Sequence, residues 1–211
     1  KASGVPAVLT ADHVLDAVSP GRILLEAAGE FRPLDTGGAL RDPSNDIALI
    51  PLPVDAGTWG LKALALDEQP SHDPAPEELE FYIASGFPIR DTKLDRKAEQ
   101  LQLKLVHVWT FEADAAYKKL GLDRKTHIAV KYDRKNKYQD GRKVAVKKPY
   151  GMSGGALWRL LGPDDRLPDL RGANLAGVLL SFHEGDKKCL VATRIEVALE
   201  LASALDRTNP G

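Results

Sequence analysis

Apolar positions in this chain come in short runs separated by turn-forming residues. Pro6–Thr10 (PAVLT) breaks into Ala11–Leu15 (ADHVL), which predicts a strand entering a short helical turn with His13 at the junction. After a Pro-Gly turn comes a second run, Arg22–Glu26 (RILLE), followed by a Gly-, Asp- and Pro-rich loop from Leu34 to Ser44. Asn45–Leu52 (NDIALIPL) predicts a buried strand with Asp46 at its mouth, where a carboxylate either caps a turn or orients an imidazole. Leu79–Pro88, Leu101–Phe111 and Thr126–Tyr132 read as further strands, the second with the alternation of a half-buried one. Glu112–Leu120 (EADAAYKKL) has helical composition with Gly121 as its stop. Asn174–Phe182 and Cys189–Thr193 are the last strands. Glu196–Leu205 then spaces Val197, Leu201 and Leu205 along one face of a C-terminal helix. Many short strands with two brief helices predict an all-β barrel or sandwich, not alternating βαβ units.

Between Asp67 and Glu78 the composition turns to Asp, Glu, Pro, Ser and His (DEQPSHDPAPEE), which places a linker at 67–78 between domains at 1–66 and 79–211. The 211 residues are 43% hydrophobic and 28% charged, with a net charge of −1, as in an ordinary globular protein without global attraction to nucleic acid. No apolar run has the length of a membrane-spanning helix. The single cysteine, Cys189, excludes an internal disulfide. With no signal peptide in view, a reducing, cytoplasmic setting is expected. No zinc spacing, phosphate-binding glycine loop or paired metal carboxylates are present, so no metal or cofactor is expected. Residues 131–148 hold eight basic side chains against Asp133 and Asp140, with Asp140-Gly141 suited to a hairpin turn. A solvated hairpin accounts for that excess better than a nucleic-acid surface, because the rest of the chain is not basic.

The stretch with the most chemistry is Pro149–Trp158 (PYGMSGGALW), a serine among three glycines ahead of an apolar run. Glycine admits strained turns and close approach to the main chain. The stretch suits a displayed nucleophile whose own turn supplies hydrogen bonds to an oxyanion, and it equally suits a Gly/Ser turn before a buried strand.

Leu9–Val14 (LTADHV) resembles the histidine motif of trypsin-like serine proteases, Asn45–Ile50 (NDIALI) their aspartate motif, and Gly151–Gly155 (GMSGG) their GDSGG serine motif. The three occur in the order His, Asp, Ser that the chymotrypsin-type fold uses. The resemblance implies an all-β fold of two six-stranded antiparallel β-barrels of the chymotrypsin type with a C-terminal α-helix. It also implies that His13 and Asp46 lie on the first barrel and Ser153 on the second. Their roles would be a catalytic triad, with the backbone N–H groups of Gly151 and Ser153 forming the oxyanion hole. Family pockets map onto Lys147 and onto Leu180, Ser181 and Phe182, with His183 nearby; a cation at the pocket base would favour an acidic substrate side chain. The implied activity is that of a serine endopeptidase. Its expected partners are a protein or peptide substrate and further domains or regulatory subunits of a larger protein. The alternative is an inactive barrel serving as a protein-interaction module, since function lives in the site and not in the fold.

Three departures from the family pattern carry expectations of their own. Met152 stands where the motif has Asp, so activation by insertion of a newly cut N-terminus is not expected; with one cysteine, this points to the bacterial-style branch. Asp12 brings an extra carboxylate beside His13 and is expected to raise the pKa of the imidazole. Only a few residues precede Thr10, so the first barrel is expected to lack its first strands in this chain.

Overall fold

The structure is a computed structural model that describes residues 6–17, 23–27, 30–61, 64, 78–88, 93–95, 100–102, 105–132, 137–139, 142–144, 148–163, 172–185 and 188–208. The chain divides into two compact units, Lys1–Gln69 with Ile195–Gly211, and Pro70–Arg194.

In the first unit, β1 (Ala7–Thr10) leads into the one-turn helix α1 (Asp12–Asp16). Strands β2 (Ile23–Ala27) and β3 (Glu30–Leu34) pair as a hairpin, and β4 (Leu40–Asp42) and β5 (Ile47–Pro51) follow. β5 is the middle of a three-stranded antiparallel sheet, with β1 on one side and β4 on the other. Its first four residues are all buried, which explains why its sequence is a continuous apolar run and not an alternating one. Ile50 packs with Leu34, Ala56 and Trp59, the last two from a 3-10 helix over Val54–Trp59. The final helix, α3 (Ile195–Thr208), packs against β4 and β5 with Val197 and Ala198 buried. It therefore groups with the strand that Asp46 opens, and not with the sheet that precedes it in sequence.

The second unit is built on β6 (Glu78–Gly86), β9 (Val106–Thr110), β10 (His127–Lys131), β13 (Ala156–Pro163), β14 (Asn174–His183) and β15 (Cys189–Arg194). They form one antiparallel sheet in the order β10-β15-β14-β13-β6-β9. The short pairs β7 (Lys93–Asp95) with β8 (Gln100–Gln102), and β11 (Lys137–Gln139) with β12 (Arg142–Val144), stand outside it. Gln139 faces Arg142, so the expected basic hairpin pairs as proposed, while Asp140 and Gly141 lie outside the described residues. The sheet curls so that the segment following its last strand reaches its first. Just past β9, Glu112 bridges Val130, the Lys131 N–H donates to the Phe111 carbonyl (2.8 Å) and the Ala113 N–H to the Ala129 carbonyl (2.7 Å). The inner face holds Tyr82, Ala84, Val108, Ile128, Val130, Leu157, Leu179 and Leu190 as one cluster. The molecule is thus mostly β with a C-terminal helix. Of the two six-stranded barrels that the resemblance implies, the described residues show one curled six-stranded sheet and, in the first unit, a three-stranded sheet beside a hairpin.

Helix α2 (Asp114–Leu120) ends where expected: Gly121 adopts φ 66°, a left-handed conformation that costs glycine little. Tyr117 ties this helix to β10. Its hydroxyl donates to Glu112 Oε1 (2.5 Å) and accepts the buried Ala129 N–H (3.1 Å). Tyr117→Phe leaves that N–H without its acceptor, so the expected loss is about 1–3 kcal/mol. It would be read as a lower urea midpoint at unchanged m-value. Burial, then the hydrogen bond to Glu112, pushes the Tyr117 phenol up to about 12. An acid with its folded pKa raised above its unfolded value near 10 stabilises fully below pH 10 and loses that contribution as pH climbs toward 12. Alkaline destabilisation across that window is therefore expected to be shallower in Tyr117→Phe.

Candidate active site

Asp42 starts the turn that delivers Asp46. Its carboxylate accepts hydrogen bonds from Ser44 N–H (3.1 Å), Ser44 Oγ (2.5 Å) and Asn45 Nδ2 (2.7 Å). Burial works to raise its pKa, but the hydrogen bonds from Asn45 and Ser44 hold it below the usual carboxylate value. Asp46 then takes φ 51°, in the left-handed region that Asp and Asn tolerate better than other side chains. From there both of its carboxylate oxygens face His13: Oδ1 accepts the His13 backbone N–H (2.9 Å), and Oδ2 lies 2.7 Å from His13 Nδ1. The Asp12 N–H donates to the Asp46 carbonyl (3.2 Å), fixing the start of α1 on the same residue. The imidazole remains about half exposed, at 48% of its side-chain surface. A carboxylate on Nδ1 favours the tautomer that leaves Nε2 unprotonated and able to accept a proton.

The Asp12 carboxylate, which the sequence sets beside His13, is engaged by Arg41. It is buried, with Oδ1 2.5 Å from Nε and Oδ2 3.0 Å from a terminal guanidinium nitrogen. The carboxylate and the guanidinium thus meet in a bidentate pair, which offsets the cost of burying the carboxylate.

Ser153 belongs to the second unit, in the turn between Pro149 and β13. Its Oγ donates to the Leu180 carbonyl (2.6 Å). That carbonyl is free to accept because the β14–β15 register shifts between Leu179 and Ser181, leaving Leu180 as the extra residue of a bulge. The turn is held by Gly154 N–H to the Leu179 carbonyl (2.8 Å), Leu179 N–H to the Gly155 carbonyl (2.8 Å) and Gly155 N–H to the Met152 carbonyl (2.9 Å). Gly151 and Gly154 take φ 88° and 82°. Among the described residues, the N–H groups of Met152, Gly154 and Gly155 donate to backbone carbonyls, and those of Gly151 and Ser153 do not. Met152 is buried in the cluster with Tyr82 and Leu157, against Gly86, so it acts as a core anchor for the turn.

Of the implied pocket residues, Leu180 is buried, Phe182 half-buried and Ser181 exposed, with Ser181 Oγ 3.0 Å from His183 Nε2. Lys147 lies outside the described residues. Next to it in sequence, Lys148 Nζ pairs with Glu184 (2.5 Å), and the Tyr150 hydroxyl donates to the same carboxylate (3.2 Å). The hydrogen bond with Lys148 is the main cause that holds Glu184 below, and Lys148 above, their ordinary values. The Tyr150 ring lies edge-on to Phe182, with centroids 6.1 Å apart. Sequence reasoning missed this cluster, the Leu180 acceptor and Arg41. Each depends on a pairing across many intervening residues and carries no local motif. Among the described residues no cluster of His, Cys, Asp or Glu could hold a metal ion, and no helix is long and apolar enough to cross a membrane.

No protein-family model matches the chain, and no curated protein matches it. Among solved structures, one described as "Structure of GrC" (granzyme C, a trypsin-like serine protease) aligns over 97% of this chain and 84% of that one, at 19% identity and a TM-score of 0.48. That likeness is too distant to argue from.

Proposed function

We propose that the chain is a serine endopeptidase that cleaves protein or peptide substrates through an acyl-enzyme intermediate, with Ser153 as nucleophile, His13 as general base and Asp46 as its orienting carboxylate. The His13–Asp46 pair carries this reading: a backbone N–H and a ring nitrogen of one histidine are held on the two oxygens of one aspartate, at 2.9 and 2.7 Å. A carboxylate that served only to cap a turn would not need the ring.

In the proposed reaction Ser153 Oγ attacks the substrate carbonyl carbon while its proton passes to His13 Nε2. Asp46 keeps the proton on Nδ1 and stabilises the imidazolium. The carbonyl oxygen, now negative, is taken up by the N–H groups of Gly151 and Ser153, which no backbone carbonyl occupies among the described residues. A donor of this kind is worth about 3–4 kcal/mol of barrier. Return of the proton from Nε2 to the leaving amine breaks the peptide bond. Water then repeats the sequence on the ester and releases the acid. The hydroxyl rests on the Leu180 carbonyl, an acceptor too weak to deprotonate it, so the reaction requires the imidazole to take over that proton.

Fluorophosphonate labelling tests the reading. The intact chain is expected to incorporate the probe at Ser153, and Ser153→Ala to incorporate none. Absent labelling, or labelling unchanged by the substitution, would leave the interaction-module alternative in its place.

A further inference from the structure

We infer that Arg41 is a positioning residue that holds the His13–Asp46 pair together, an inference about purpose that rests on the proposed protease reading. Helix α1 is a single turn whose own N-cap residue, Ala11, offers no side-chain cap; its first N–H groups, of Asp12 and His13, go to Asp46 instead. So short a helix has little stability of its own and must be held by tertiary contacts. Asp46 holds its backbone, and Arg41 holds its side chains. The Arg41 guanidinium takes both oxygens of buried Asp12 and reaches Asp16 Oδ1 at 2.7 Å. Asp12 and Asp16 are four residues apart, on one face of the turn, and bracket His13 in sequence. The hydrogen bonds to Asp12 and then to Asp16 hold the guanidinium pKa above its already high value, so Arg41 stays a cation at every relevant pH.

The backbone end of the same side chain fixes the other half of the pair. Arg41 sits on β4 opposite Ala48 of β5, and Ala48 faces Thr10 of β1. Thr10 is three residues before His13, and Ala48 two residues after Asp46. One residue therefore spans from the strands that present histidine and aspartate to the helical turn on which the histidine rides. A lysine cannot replace it: a single ammonium does not hold a carboxylate by two parallel bonds and reach a second carboxylate as well.

A purely structural role would change stability and leave the imidazole as it was; positioning changes which nitrogen carries the proton. The test is the His13 ring tautomer, measured by 15N chemical shifts of the histidine-labelled full chain at a pH where the ring is neutral. It is compared with the Asp12→Asn/Arg41→Met double variant, which leaves no uncompensated buried carboxylate, and with Arg41→Lys. The unmodified chain is expected to hold the Nδ1–H form. Both variants are expected to shift toward Nε2–H, and fluorophosphonate labelling of Ser153 to slow by about 10- to 100-fold, the scale of a small misplacement. If the double variant does not fold, Arg41→Lys decides. A folded variant with an unchanged Nδ1–H population overturns the inference. The two ideas fail separately: a shifted tautomer in a chain that never labels keeps the Arg41 tether and removes the protease. An unshifted tautomer in a chain that labels does the reverse.

Discussion

His13→Ala and Ser153→Ala are each expected to lower kcat for peptide hydrolysis by about 10^6-fold, with the double variant no slower than either single one. Residues that act as one unit are lost together: without the base the hydroxyl is a poor nucleophile, and without the nucleophile the base has no proton to take. Additive losses would instead mean two independent functions for the two side chains. Asp46→Asn is the more discriminating variant. Asn tolerates the φ of 51° about as well as Asp does, so the turn is expected to survive. The amide oxygen would keep the His13 backbone N–H, the bond now made by Oδ1, which leaves the NH2 group facing Nδ1. That group can only donate. The neutral imidazole must then carry its proton on Nε2, where it cannot accept one from Ser153, and a fall of about 10^4-fold is expected. Steady-state rates on a peptide substrate, with circular dichroism to show that each variant is folded, check all three. An Asp46→Asn variant with unchanged rates would remove the aspartate from the mechanism.

Much of the architecture was legible because it is written locally. β5 is apolar at consecutive positions because its first four residues are buried, and α2 stops at Gly121 because only a left-handed residue continues the chain there. The juxtaposition of His13 with Asp46 was implied by the motif resemblance and by no local pattern; in the structure it follows from the pairing of β1 with β5, with Thr10 opposite Ala48. The partner of Asp12 was not legible in this way: its carboxylate pairs with Arg41, 29 positions away in sequence, and no local motif names that residue. The bulge at Leu180 was equally out of reach, since a register shift belongs to a pair of strands and leaves no mark on either alone. Strand order in the second unit is the extreme case: the sheet sets β6 between β13 and β9, and no pattern within β6 names those neighbours.

Gly155→Ala is expected to be among the most destabilising single substitutions in the serine turn, at about 3 kcal/mol. A Cβ built there would lie 2.3 Å from the Ser85 carbonyl oxygen and 2.8 Å from that of Met152. Neither oxygen can give way cheaply. Ser85 is paired on both sides, with Ala156 of β13 and His107 of β9, and its Oγ is further tied to His107 Nδ1 at 2.8 Å. Met152 is fixed by its buried side chain and by the Gly155 N–H on its carbonyl. Gly154→Ala is the comparison: it must hold an alanine at φ 82°, a left-handed conformation that costs about 1–2 kcal/mol. Urea midpoints at matched m-values would rank the two. The order matters for function as well as for stability. If Gly155 is what lets the serine turn press against β6, then Gly155→Ala must push the turn off that strand and misplace the Gly151 and Ser153 N–H groups together. Labelling of Ser153 is then expected to fall in the folded fraction too. A Gly155→Ala chain as stable as Gly154→Ala, and labelled as fast, would show that the turn does not depend on that close approach.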